Sequence, residues 1–418
     1  MADRRVVITG MGTVNPLAWE VETFWQALLE GRSGIRTITR FDPTGFDATI
    51  GGQIPDEWPG VPENYVDKRE IKRLDPFAQY AVYSAIRAVE QSGIDFTQCD
   101  RARCGVIIGT GIGGLEELET QHRRMLDKGP GRLSAFTVPK LMVNAASANV
   151  AILWGLRGHN TDVSTACASA GNSIGDAFRL IRHGWQDVML TGGSEAALTK
   201  IGLGSFCSLQ ALSTRNNEPT KASRPFDKNR DGFVLAEGAG VVLLEEFEHA
   251  KARGATILAE IVGYGTNCDA SHITAPDPEG RGAADAIRLS LADAGLRPDQ
   301  VDYINAHGTS TSLNDASETK AIKAVFGEHA QRLLISSTKS MVGHLLGASG
   351  GVEIIATIKT LQTGWVHQTA NLEQPDDGFG LDYCMGGKRQ KDVKVAISNS
   401  FGFGGHNVVL TLRKWEGV

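Results

Sequence analysis

The chain has 418 residues, 41% of them hydrophobic and 22% charged, with a formal net charge of -6 at pH 7. That length exceeds one ordinary core and implies two domains or two fused halves, and the composition is that of a globular protein. The acidic balance excludes bulk nucleic-acid binding; with no membrane-span window and no apolar signal segment, a cytoplasmic protein is expected.

In chain order, residues 6–9 are the first strand-like run. Residues 66–73 place Lys68, Arg69, Lys72 and Arg73 on one helical face, which by itself reads as a solvated surface. Residues 75–93 form an amphipathic helix with Phe77, Ala81, Ala85, Ala88 and Val89 on one stripe, stopped by Gly93. The apolar strand 105–108 follows, then a glycine turn, 109–114, matching G-x-G-x-x-G, and a charged helix from Leu115. Residues 159–165 alternate and read as a short strand or connection.

Cys167 comes next, in the run T-A-C-A-S-A, followed at helical spacing by Ile174, Ala177, Phe178 and Ile181 up to Gly184. This predicts a cysteine in the first turn of a buried helix, where the helix N-terminus raises the thiolate fraction. Taken alone, a buried structural cysteine is the plainer reading. The remaining cysteines, at 99, 104, 207, 268 and 384, form no Cys-x-x-Cys pair, so reduced thiols and no metal site are expected.

The plan then repeats. Residues 283–295 match the helix 75–93, each followed by a loop, a strand (301–304 against 105–108) and a small-residue turn. Residues 232–243 match 402–410, both glycine turns running into apolar strands, and 6–12 match 257–265 more weakly. These matches predict an internal duplication, halves 1–250 and 251–418, and a junction near 246–256 with a charged surface helix over 245–253. Alternating strands and helices of this kind imply α/β architecture with mostly parallel sheets covered by helices.

Three constellations of the second half sit at strand ends or glycine turns, where α/β proteins build their sites. They are N-A-H-G-T-S-T around His307, S-S-T-K-S-M-V-G-H ending at His344 and leading to Glu353, and N-S-F-G-F-G-G from Asn399. A cysteine nucleophile needs a base or donor nearby and hydrogen-bond donors for an oxyanion. His307 and His344 could supply imidazoles, Lys339 a charge, and the turns around Phe401 backbone N–H groups. Singly, each has an ordinary structural explanation; together with Cys167 they point to catalysis.

With S-R-P-F-D-K-N-R-D-G-F at 223–233 added, these motifs resemble the elongating β-ketoacyl-[acyl-carrier-protein] synthases of fatty-acid biosynthesis, nearest the synthase II branch, over nearly the whole chain. The resemblance implies the thiolase-like duplicated fold, five layers αβαβα with two mixed sheets, and a homodimer. It implies a decarboxylating Claisen condensation in which Cys167 carries the acyl chain and His307 and His344 stabilise the enolate of a malonyl thioester. Lys339 and Glu353 would support the histidines. The N–H groups of Cys167 and Phe401 would form the oxyanion hole, with Phe401 also a gate. Thr309 and Thr311 would hold the phosphopantetheine arm, and Ile112 and Phe206 would line the acyl pocket. Lys68, Arg69, Lys72 and Arg73 would dock the acidic carrier protein. No bound cofactor is expected; the substrate rides on the 4'-phosphopantetheine of acyl carrier protein. His159, Ser312 and His406 stand where proline, proline and threonine are common in the family.

Three other readings compete. The glycine turn 109–114 suggests a dinucleotide-binding oxidoreductase, but the acidic residue expected about 20 residues later is missing. A non-catalytic chain-length factor would lack the nucleophile that is present here. A ketosynthase of a polyketide or other specialised pathway would share every catalytic residue.

Overall fold

In a computed structural model describing residues 3–417, ten strands build the main sheet. They are β1 (Val6–Val14), β2 (Cys104–Gly109), β3 (Asn160–Thr161), β4 (Val188–Glu195), β5 (Gly238–Glu246), β6 (Ala259–Cys268), β7 (Tyr303–Asn305), β8 (Leu334–Ser336), β9 (Val395–Gly402) and β10 (His406–Arg413). The six longest helices are α1 (Pro76–Ser92), α2 (Leu115–Lys128), α3 (Ser169–Arg182), α4 (Arg281–Asp293), α5 (Ser312–Phe326) and α6 (Ser349–Thr363).

The first five strands lie in the order β1-β5-β4-β2-β3 and the second five in the order β6-β10-β9-β7-β8. In each set the first two pairings are antiparallel and the last two parallel, so the sheet is mixed and not mostly parallel as the alternation of strands and helices suggested. The duplication seen in the sequence is therefore a repeat of topology. The sets differ from the expected two separate sheets in one respect: β1 and β6 pair antiparallel, with Val6, Val7 and Ile8 opposite Ile261, Glu260 and Ala259. This seam joins all ten strands, because two uncovered inner edges would leave backbone donors and acceptors unpaired.

Period-two alternation sorts the strand side chains into layers. Ile107, Met189, Val242 and Leu244 face a central core shared with Ala396, Val408 and Leu410 of the second set. Their neighbours Val106, Ile108, Leu190 and Leu243 face α1, while Ile397 and Val409 face α4 and α5. The pair α3 and α6 fills the centre and touches strands of both sets. The succession is helix, strand set, helix pair, strand set, helix.

Local signals explain the elements. Asp75 caps α1 by accepting from the Phe77 N–H at 3.3 Å, Pro76 opens it, and left-handed Gly93 ends it. The junction differs from expectation. The helix is only Phe247–Ala252, and Glu245 is fully buried in β5, held by Arg253, His249 and the Thr9 hydroxyl. Two partners close in sequence, His249 and Arg253, together with Thr9 from β1, let this carboxylate leave the surface.

The central helices approach the strands closely. A Cβ on Gly240 would lie 2.2 Å from the backbone carbon of Gly351 in α6. Gly240→Ala is expected to lower stability by about 1–3 kcal/mol through overpacking against backbone that cannot yield, measured by urea unfolding.

Candidate active site

Cys167 stands on a strained elbow. After β3 the chain reaches Ala166, whose φ of 52 lies in the left-handed region, and a 3-10 turn over Ala166–Ala168 leads straight into α3. The Thr165 N–H donates to Ser169 Oγ at 3.0 Å, and that hydroxyl donates to the Ala166 carbonyl at 2.6 Å. Cys167 thus sits one turn before the α-helix proper, 8% exposed, at the wall of a cavity. Burial opposes the effect of the helix N-terminus on this thiol. Burial pushes it up to about 12, against the positive charge of Lys339 and the Phe403 N–H, which favour the thiolate.

Two imidazoles share a cavity with the sulfur. His307 follows β7, and its N–H and that of Gly308 are held at 2.8 Å by the buried Glu318 carboxylate of α5. His344 follows β8 and the short helix Lys339–Val342. Its Nε2 lies 3.1 Å from Cys167 Sγ. The Leu346 N–H reaches His344 Nδ1 at 3.2 Å, and a backbone N–H can only donate, so the ring proton sits on Nε2. Lys339 Nζ lies 3.3 Å from His307 Nδ1 and 2.8 Å from the His307 carbonyl, and pairs with Glu353 of α6. An ammonium only donates, so His307 also carries its proton on Nε2. The two rings stand 5.4 Å apart, edge to face. Burial first, and then the charge of Lys339, hold both imidazoles well below their ordinary range, so both are neutral.

One cavity of about 510 Å³ collects Cys167, His307, His344, Phe401, Thr309, Thr311, Ile112 and Phe206. Lys339 and Glu353 lie buried behind the histidines. The Thr309 and Thr311 hydroxyls are 2.9 Å apart, and Thr311 caps α5. Phe401 is the penultimate residue of β9, with its ring 5.8 Å from that of His307. A Cβ at the following Gly402 would lie 2.7 Å from the Thr165 carbonyl, so only glycine lets this strand close on the elbow. Lys68, Arg69, Lys72 and Arg73 lie on and beside the single helical turn Lys68–Ile71, all exposed and none lining the cavity.

Sequence reasoning passed over several residues. Ser349 orients His344 through Nδ1 at 3.0 Å, and A-S-G-G at 348–351 echoes A-S-A-G at 168–171, a signal the duplication offered. Glu318 was hidden in a helix without a motif. Phe233 stacks edgewise on both Phe206 and His344. Ser312 is the first residue of α5, where proline and serine serve equally because that N–H has no helical partner. His406 opens β10, and the His159 carbonyl accepts from the Val106 N–H.

Among the described residues no three His, Cys, Asp or Glu side chains are grouped to hold a metal ion. Oδ1 of Asn305, Oδ1 of Asn399 and Oε2 of Glu353 are buried without a donor, acceptors of the type that suit water or a hard cation.

Comparison with known proteins agrees over the whole chain. The beta-ketoacyl synthase N-terminal domain matches residues 3–250 and the C-terminal domain matches 258–373. The 3-oxoacyl-[acyl-carrier-protein] synthase 2 of Synechocystis is 49% identical over 413 residues, 99% of each chain. That of Coxiella burnetii is 47% identical over 414 residues, again 99% of each. A solved beta-ketoacyl synthase from Burkholderia phymatum superposes with a TM-score of 0.91 at 36% identity, covering 99% of this chain and 100% of that one. A type II polyketide ketosynthase, solved in complex with its acyl-carrier protein, superposes at 0.92 with 34% identity and the same coverage. The chain belongs to the β-ketoacyl synthase family.

Proposed function

We propose that this chain is a 3-oxoacyl-[acyl-carrier-protein] synthase, an acyltransferase that lengthens fatty acyl chains by two carbons through decarboxylative condensation. The observation that carries the reading is the convergence of Cys167 Sγ with two neutral imidazoles that both present a protonated Nε2.

In the first half-reaction Cys167 Sγ attacks the thioester carbonyl of an acyl chain on the phosphopantetheine of acyl carrier protein. The carbon–sulfur bond to the carrier breaks, and the thiol proton ends on the departing carrier thiol. The backbone N–H of Cys167 and that of Phe403, which is the one that reaches the sulfur, hold the oxyanion in place of the Phe401 N–H expected from the motif. In the second, malonyl carrier protein enters and its carboxylate leaves as carbon dioxide. The electron pair passes to the thioester enolate, whose oxygen accepts from Nε2 of His307 and of His344. Neutral rings suit this work: each offers one donor, and the enolate oxygen takes two. The carbanion then attacks the Cys167 thioester and expels the thiolate. Lys339, anchored by Glu353, fixes the tautomer of His307 and adds to burial in keeping both rings neutral, while the Leu346 N–H fixes the tautomer of His344. Thr309 and Thr311 hold the pantetheine arm, Phe401 gates the two half-reactions, and Ile112 and Phe206 bound the acyl chain.

The turn 109–114 supports this reading over a dinucleotide site. The N–H groups of Gly111 and Ile112 are taken by the Glu195 carboxylate, leaving none to cradle a phosphate. Lys68 and Arg73 have acidic neighbours in Glu63 and Glu70, yet the four basic side chains remain exposed and suit an acidic carrier. Exposed Leu126, Val138 and Ile152 support a second copy as partner. No helix among the described residues is long and apolar enough to cross a membrane, in keeping with the expected cytoplasmic location. Halves 1–250 and 251–418 belong to the same reading. A polyketide ketosynthase is the second reading, favoured by the solved relative above; substrate profiling with fatty-acyl and polyketide carriers separates the two.

Intact-mass measurement after mixing with acyl carrier protein should show an adduct on Cys167 that malonyl carrier protein discharges; its absence across chain lengths would sink the reading. Cys167→Gln is expected to abolish condensation and keep malonyl decarboxylation, read by carbon dioxide release. Arg69→Glu with Lys72→Glu should slow carrier association and weaken its salt dependence, read by stopped flow, while the turnover of saturated enzyme stays the same. A pH effect on stability also follows. Unfolding frees His307 and His344 to bind protons below about 6.5 that the folded protein refuses. Their stabilising contribution is therefore complete above that pH and lost on acidification, at up to about 1.4 kcal/mol per pH unit for each ring. His344→Asn should flatten the acid decline in urea-unfolding free energy relative to the parent protein; an unchanged slope would contradict it.

A further inference from the structure

Glu195 is a buried carboxylate beside the site that the mechanism does not use. Glu195 ends β4, has no exposed surface, and receives four donors. Oε1 accepts from the Thr110 hydroxyl at 3.0 Å and the Ile112 N–H at 3.2 Å. Oε2 accepts from the Gly111 N–H at 2.7 Å and the Gly347 N–H at 3.1 Å. Three donors belong to the loop after β2. The fourth belongs to a segment more than a hundred residues further along the chain.

The internal repeat shows what that fourth donor is. Leu346 has a φ of 48, as Ala166 has 52. The Leu345 N–H donates to Ser349 Oγ at 3.0 Å, as the Thr165 N–H donates to Ser169 Oγ. A 3-10 turn then enters α6, as one enters α3. Residues 345–351 form a second elbow, and Gly347 stands where Cys167 stands in the first. At the first elbow the apex N–H serves a substrate oxygen; at the second the matching N–H serves Glu195. A Cβ on Gly347 would lie 2.8 Å from Glu195 Oε2 and 2.2 Å from the Gly111 nitrogen, and a Cβ on Gly111 would also meet Oε2 at 2.8 Å. Both glycines give the carboxylate its seat.

Ile112 from the loop and Leu346 from the second elbow line the cavity together with Cys167. Leu346 also belongs to the apolar cluster that holds Cys167, Phe233 and Leu203. The backbones on either side of these two wall residues meet on one carboxylate. We propose that Glu195 is a positioning residue that sets acyl-chain-length preference by clamping Ile112 and Leu346 at a fixed separation in the pocket wall. The proposal rests on the condensing-enzyme reading.

Glu195→Gln preserves shape but turns an amide N–H2 toward backbone N–H groups, so at least two donors lose their acceptor. The test measures acylation rates of Cys167 from carrier-bound chains of graded length, with malonyl decarboxylation measured in the Cys167→Gln background. The expected result is a change of about tenfold in the ratio of long-chain to short-chain acylation, with decarboxylation unaffected. An unaltered ratio, or an equal loss at all chain lengths and in decarboxylation, would overturn it. If Glu195→Gln does not fold, Thr110→Val removes one donor and keeps the carboxylate; a smaller change of the ratio is expected, and an unaltered ratio overturns the proposal. Parent protein that accepts no acyl chain at all would instead overturn the condensing-enzyme reading.

Discussion

The site depends on one buried ammonium. Lys339 is 1% exposed, and a cation survives there only with its donors occupied. Its three partners are the His307 carbonyl, His307 Nδ1 and the Glu353 carboxylate. Those contacts decide which ring nitrogen of His307 keeps its proton, and the charge discourages a second proton on either imidazole. The helix that brings Glu353 also brings Ser349 to His344. One charge in the centre of the molecule thus couples the central helix layer to the electronic state of both donors.

The repeat is used asymmetrically. Two strand sets of the same order each deliver an elbow into a central helix, yet the first elbow carries a sulfur and the second an apex without a side chain. The histidines come from the second set and reach across to the thiol of the first. This requires α3 and α6 to lie against each other and against both sets, which glycines at 171, 240, 350 and 351 permit by letting backbone meet backbone or small side chains. The many glycines of the sequence serve close approach here as well as turning.

Much of this was legible in the residues. Helix α1 announced itself through Asp75, Pro76 and Gly93, and Cys167, His307 and His344 through motifs whose small neighbours leave room for a substrate. What stayed hidden was long-range. The β1–β6 seam depends on two strands about 250 residues apart, and their apolar alternation names no partner. Glu245 reads as a surface charge until Thr9, which comes from the first strand, is seen beside it. The burial of the thiol was hidden for a similar reason: local sequence reveals the helix behind Cys167, whereas the apolar surroundings that push its pKa up come from Phe233, Leu346 and other distant segments.

The shared central layer has a consequence for biosynthesis. A ribosome completes the strand set bearing Cys167 well before it reaches His307 and His344. A nascent chain at that stage holds a sulfur without its imidazoles, and the apolar flank of α3 still awaits α6. Chemical competence therefore arrives in one step, late in synthesis, when the second set closes over the first. Until then the unfinished polypeptide carries a large sticky surface and no reactive centre, which makes the interval before closure its time of greatest exposure to chaperones and proteases.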